Sequence, residues 1–451
     1  MLISKPALFV CSILVIVSYC QAPVKTDFRP IAPPFEPAFI QGKSADIREQ
    51  AVFEMAIYHL RNDYLEPLTD YGLLKLWLKA ASTQKNWPDL KYKEVSGVLT
   101  LQCRARSTMV TPGEYKFENF WPIYDEFVAP CAARKDPDFK VAYEILKAMT
   151  SGLHEGTKFL DPADFTEMNT EIRGNFGGVG LEFALRNEKI VVVEVIENGP
   201  AVRAGLQKGD IIETISQKNV QSLKLVDVLK LLRGKPGTEI TISVRRSNAE
   251  QPLFFSMIRE VVKVPSVKKM PGNKQVMHLL VKQLNYQALT EMREYLTADS
   301  RPLLLDLRSC PGGLLESSHQ FAEIFLPTGA KILSVRGRKK ELERSFTASH
   351  KTPDLKRHIV VLTDAKTAGG CEIIAAALRH HGRAKIIGTP TFGRGTIQNI
   401  VTMAYSTALV LTIQEIILPD GSSLLQKPIQ PDIIVTADKD ALEAALQLTG
   451  S

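Results

Sequence analysis

A chain of 451 residues, 45% hydrophobic and 23% charged, is long enough for two or three domains, each with its own core. Its formal net charge of +7 is spread thinly, and without a dense basic block nucleic acid is set aside as a partner. Residues 1–22 have the layout of a secretory signal: Lys5, the apolar stretch PALFVCSILVIVS, then small residues up to a cleavage point after Ala22. An uncleaved anchor and a lipoprotein signal acylated on Cys20 stay open as alternatives. The apolar stretch is short for a membrane span, and bulky Tyr19 before Cys20 counts against acylation. The expectation is export to the periplasm or cell envelope.

Residues 23–43 form a proline-rich linker. From Ser44 the spacing of Val52, Phe53, Ala56, Ile57 and Leu60 predicts a helix, capped by Ser44 or Asp46 and stopped by Pro67. YGLLKLWLKAAS continues as helix, and KVAYEILKAMTSGL returns to helical spacing after a stretch at about 82–137 that lacks clear periodicity. The helical cap is therefore placed at 44–168 with an insertion at 82–137. A unit over 169–256 alternates strands, Gly-rich turns and two helices. The last third, 257–446, alternates strands and helices (VMHLLVKQL, NYQALTEMREYLTAD, PLLLDLR, LESSHQFAEIFLP, KILSVRG, HIVVLTD, CEIIAAALRHH, AKIIGT), which predicts crossover units on a largely parallel sheet. LPDGSS marks a hairpin turn.

Outside the signal lie Cys103, Cys131, Cys310 and Cys371, an even number suited to an oxidising compartment. Their spacing does not suit zinc, and neither metal nor cofactor is expected. Cys103 and Cys131 flank one segment and are the natural first pair, with all three connectivities open.

In the 169–256 unit, GGVGLEF followed by ENGPAVRAGLQKGDIIETI is similar to a PDZ domain. The resemblance implies that backbone N–H groups of Val179, Gly180 and Leu181 cradle a terminal carboxylate while a peptide pairs along the following strand. LLLDLRSCPGGLLESSHQFAEIFLP resembles the tail-specific, or C-terminal processing, serine peptidases, with FLDPADF, SVRGR and PIQPDIIV in order on either side. It covers nearly all of the chain from Ser44 except the insertion. It implies a multidomain α/β (α+β) protein: a helical cap, then a PDZ domain inserted before a mixed-sheet core of the ClpP/crotonase-like kind.

That family is implied to use a Ser–Lys dyad, in which a neutral lysine takes the serine proton. Here the serine position falls on Gly369 and the lysine position, 25 residues on, falls on Arg394. The positioning glutamine falls on Gln398, and the polar residue of the helix end on His380. The oxyanion donors fall on the Pro311, Gly312, Gly313 turn and on Gly370. A guanidinium does not deprotonate, so Arg394 is not a base. Cys371, with His380 or His381, and Thr367 are the alternative nucleophile candidates. The resemblance also brings Cys310 and Cys371 together as a disulfide across the site, against two free thiols. Arg394 either binds an anion such as a peptide carboxylate or pairs with an acid such as Glu372.

The expected function is that of a pseudopeptidase binding polypeptide C-termini, with an active protease and a second copy, through the N-terminal helix, as further partners. The alternative is an active serine-type or Cys371-dependent endopeptidase cleaving near C-termini.

Overall fold

A computed structural model describes residues 45–83, 89–113, 115–116, 120–123, 141–173, 175–271, 274–349 and 354–450. The signal, the linker and Cys131 lie outside these residues. Helix Ala45–Asn62 buries Val52, Phe53, Ala56, Ile57 and Leu60, none more than 3% exposed, as one stripe. It stops before Pro67, because Tyr64 turns into the core and Leu65 N–H bonds Thr412 C=O at 2.9 Å. Thr69 Oγ1 then accepts from Gly72 N–H at 3.0 Å and starts helix Asp70–Ser82.

The insertion is more regular than its sequence suggests. Leu90–Val95, Val98–Cys103 and Arg106–Val110 form an antiparallel meander. Its first turn is made by Ser96 and Gly97, both at positive φ (52° and 80°), and its second includes Arg104 at 52°. Leu90, Leu99, Leu101, Cys103 and Val110 face the helical cap and are buried in its core. Cys103 is disulfide-bonded.

The PDZ-like unit is a sheet in the order Leu253–Ile258, Glu239–Arg245, Ile211–Ile215, Lys189–Val195, Leu181–Arg186, with the last strand at the edge. Helices Pro200–Ala204 and Leu225–Leu232 complete it. Lys282 Nζ reaches Glu182 Oε1 at 2.6 Å and Lys268 pairs with Glu194, so the unit is fixed to the core by ion pairs.

The core contains two sheets. One runs Val267–Lys269, Met277–Val281, Leu303–Asp306, Ile359–Thr363, Ala384–Gly388, Ile433–Ile434, parallel except for the first pair. Its apolar strands are covered on both faces, as parallel strands require. Leu303 and Leu305 pack with residues of helices Tyr286–Ala298, Leu315–Glu323 and Gly370–His380, while Leu304 packs beneath helix Asp438–Gly450. The strand Lys331–Gly337, expected among the parallel strands, belongs instead to a second sheet with Arg344–Thr347, Ala408–Ile417 and Thr396–Thr402. It pairs antiparallel with the ten-residue strand Ala408–Ile417, which also holds Lys158–Leu160.

At the C-terminal end of the parallel strands, buried Asp306 receives Arg308 Nε and Nη2 at 2.9 and 2.7 Å, with His278 Nε2 3.1 Å away. Burial alone would raise its carboxyl, but Arg308 and His278 outweigh burial and hold it below the ordinary value. The stability this network contributes is therefore complete above the unfolded carboxyl value of about 4 and is lost as pH falls through the lower folded value. Asp306→Asn should cost about 3 kcal/mol at neutral pH and flatten the acid limb of the stability profile, read by urea denaturation across pH.

Candidate functional site

Strand Ile359–Thr363 leaves the parallel sheet and turns through Asp364–Ala368 into helix Gly370–His380. Asp364 Oδ1 accepts from Lys366 and Thr367 N–H at 3.0 and 2.8 Å, which fixes the turn. Gly369 caps the helix at φ 54°, ψ −115°, a conformation that strains any residue with a Cβ. A Cβ built on it would meet only Pro311 O at 3.8 Å and Arg394 Cδ at 3.9 Å. The backbone is thus shaped to present a side chain toward Arg394, and no side chain is there.

Glu372 ties this turn to the 391–394 loop. Its Oε2 accepts from Gly369 and Arg394 N–H at 2.7 and 2.9 Å, and its Oε1 from Thr391 Oγ1 and Gly393 N–H at 2.5 and 2.7 Å. Burial pushes the carboxyl above its ordinary value, and these four donors pull it partway back.

Glu372 therefore holds the backbone of Arg394, and the guanidinium looks elsewhere. Its Nη2 pairs with Glu155 Oε1 at 2.6 Å, its Nη1 bonds Pro311 C=O at 3.3 Å, and its Cζ lies 5.0 Å from the Phe392 ring centroid. Arg394 Nε is buried without a partner. Glu155 is the acid partner that sequence reasoning missed. It lies 239 residues away in a cap loop, and no local signal connects the two.

The Pro311 carbonyl has a second consequence. It faces the position a side chain on Gly369 would occupy, and in a trans peptide the following N–H points the opposite way. Gly312, expected among the oxyanion donors, accordingly turns its N–H away from that position. Gly312 C=O is fixed by Leu284 N–H at 2.9 Å. The N–H groups of Gly313 and Gly370 have no hydrogen-bond partner among the described residues.

The alternative nucleophiles fare no better. Cys371 is fully buried and disulfide-bonded to Cys310, with Cα atoms 6.3 Å apart, so it offers no thiolate. His380 is exposed at the far end of the same helix, nine residues or about 14 Å along its axis. His381 bonds Lys331 C=O at 2.7 Å. Thr367 is buried, with its hydroxyl donating to Leu307 C=O at 2.8 Å and accepting from Asp364 N–H at 3.0 Å. Gln398 Nε2 bonds Thr396 and Thr412 hydroxyls at 2.8 and 3.4 Å, away from Arg394. Among the described residues no cluster of His, Cys, Asp or Glu is arranged to hold a metal.

The family model described as peptidase family S41 matches residues 261–435, and that of a PDZ domain matches 177–253. The carboxy-terminal-processing protease of Bartonella bacilliformis is 33% identical over 309 residues, 66% of this chain and 70% of that protein. The chain belongs to peptidase family S41. A probable CtpA-like serine protease of Staphylococcus epidermidis is 28% identical over 314 residues, which are 68% of this chain and 63% of that protein, just under two thirds of its length. Among solved structures, the photosystem II D1 C-terminal processing protease aligns with a TM-score of 0.46 at 21% identity, covering 89% of this chain and 97% of that one.

In this S41 member the PDZ domain carries a second candidate site. Gly180, at φ 79°, accepts from Ile196 N–H through its C=O, so the trans peptide sends Leu181 N–H to the open edge of the sheet. Val192 N–H bonds Asp210 C=O on the far side, so its partner Phe183 also turns its backbone outward. Val179 C=O is engaged by Ala201 N–H at 2.8 Å. Facing this edge, Leu225, Leu229 and Arg233 close an apolar groove with Leu181, Phe183 and Ile196. The helix side of the groove was not read from the sequence, although its apolar i, i+4 spacing was visible.

Glu372→Gln keeps the volume but sets an NH2 group against backbone donors. It should lower stability by about 2–4 kcal/mol in denaturant titration. Paired Cys310→Ser and Cys371→Ser substitutions should remove about 2–4 kcal/mol, and reduction should destabilise the wild type by about that much more than the variant, which keeps the Cys103 bond.

Proposed function

We propose that this S41 member is an exported, non-catalytic binder of polypeptide C-termini acting through its PDZ groove. The observation that carries this is the content of the dyad positions: Gly369 has no nucleophile, and Arg394 faces it with a group that cannot serve as base. Cys371 and Thr367 are both engaged and buried. The open edge strand and the outward Leu181 N–H supply what a peptide needs to add as a strand and to seat its terminal carboxylate. The buried Cys310–Cys371 disulfide suits an oxidising compartment, in keeping with export. Further partners in this reading are an active protease that the chain regulates or scaffolds and a second copy through the N-terminal helix. Since that helix buries its apolar stripe within the cap, such a contact would use its other face.

One observation favours a second reading, proteolysis near C-termini: the backbone at Gly369 keeps the strained turn that presents a nucleophile. Both readings meet in one assay. Purified protein is incubated with an unstructured, tailed reporter, and products are read by mass spectrometry. The wild type should leave the reporter intact, and Gly369→Ser with Arg394→Lys should begin to cut it. Cleavage by the wild type that Cys371→Ala or Thr367→Val abolishes would overturn the non-catalytic reading. In parallel, peptides with a free C-terminus should bind, and Leu229→Asp in the groove should weaken them at least about tenfold by fluorescence anisotropy.

A further inference from the structure

We propose that the vacated catalytic position is itself a carboxylate site, in which Arg394 takes the free C-terminus of a polypeptide in place of Glu155. This goes beyond the groove reading, involves different residues, and rests only on the position being non-catalytic.

Five observations converge on it. Arg394 Nη2 already holds a carboxylate oxygen at 2.6 Å, and that carboxylate belongs to a side chain 58% exposed on a loop. An ion pair that open to water contributes little, so an incoming carboxylate exchanges with Glu155 at small cost. The guanidinium is under-used: Nε is buried without a partner, and Nη1 makes only the long 3.3 Å bond to Pro311 C=O. Glu155 bonds through one oxygen only, which leaves the planar fork able to take an incoming carboxylate through both of its oxygens.

The site also has room and further donors. The missing side chain at Gly369 leaves space with no atom nearer than 3.8 Å to the Cβ position. Gly313 and Gly370 N–H are unpartnered, the latter at the N-terminus of an eleven-residue helix. Phe392, 46% exposed and stacked against Arg394, offers an apolar surface to the last side chain of the ligand. Two acceptors face the site and would oppose an anion. Pro311 C=O is engaged by Arg394 itself, and Glu372 is surrounded by four donors. The chemistry that fits is a peptide carboxylate arriving with an extended chain.

The test uses the full chain with the PDZ groove disabled by Leu229→Asp. The probe is an unstructured fluorescent peptide, supplied with a free or an amidated C-terminus and carrying a photo-cross-linker beside its last residue. In this background the free-acid peptide should still bind and cross-link to 311–313 or 369–371, and the amide should bind about tenfold more weakly. Adding Glu155→Gln, which removes the competing carboxylate at an exposed position, should tighten binding several-fold. Adding Arg394→Gln should abolish the preference for acid over amide. The proposal is overturned if groove-disabled protein binds no peptide even with Glu155→Gln, or binds with a preference indifferent to Arg394→Gln. If the groove reading alone is wrong, Leu229→Asp will not change wild-type affinity, and the Arg394 and Glu155 effects will stand.

Discussion

Everything at the centre of this molecule hangs on one buried carboxylate. Glu372 gathers donors from the helix N-terminus and from a loop about twenty residues further on, and so brings Gly369 and Arg394 face to face. A single buried anion is expensive unless every lone pair is met, and here each oxygen meets two donors. The disulfide fixes the same region from the other side, joining the residue before Pro311 to the residue before Glu372. Two constraints of different chemistry therefore hold the turn that carries Gly369 against the loop that carries Arg394.

Arg394 touches more than the loop that carries it. The arginine stands opposite Gly369 and bonds the carbonyl of Pro311, and the trans peptide of that carbonyl directs Gly312 N–H the other way. The PDZ edge, by contrast, keeps its outward backbone donors and its apolar wall.

Much of this was legible in the sequence where the signal was local or carried by ordered spacing. The apolar stripe of the first helix, the PDZ glycines and the register of Gly369 with Arg394 could all be read from the residues. Contacts made by distant segments could not. Nothing near Arg394 announces Glu155, and nothing in the Pro311, Gly312, Gly313 turn announces which way a peptide plane faces. The meander at 90–110 was hidden for another reason: its first turn uses Ser96 before Gly97, and its second includes Arg104, a residue type seldom found at positive φ. The strand Lys331–Gly337 reads like its parallel neighbours because it follows a helix in the same alternation, and only its pairing with Ala408–Ile417 assigns it to the other layer.

The φ of 54° at Gly369 sets a stability cost on whatever side chain that turn carries. A nucleophile on that turn is held against the preference of its own backbone, at a penalty of order 1–3 kcal/mol that only a useful reaction sustains. Glycine removes the nucleophile and the penalty together. A serine placed on this turn would be uphill for folding, and with Arg394 opposite it would face a group that takes no proton. Stability therefore favours glycine at this turn, whatever work the surrounding frame performs.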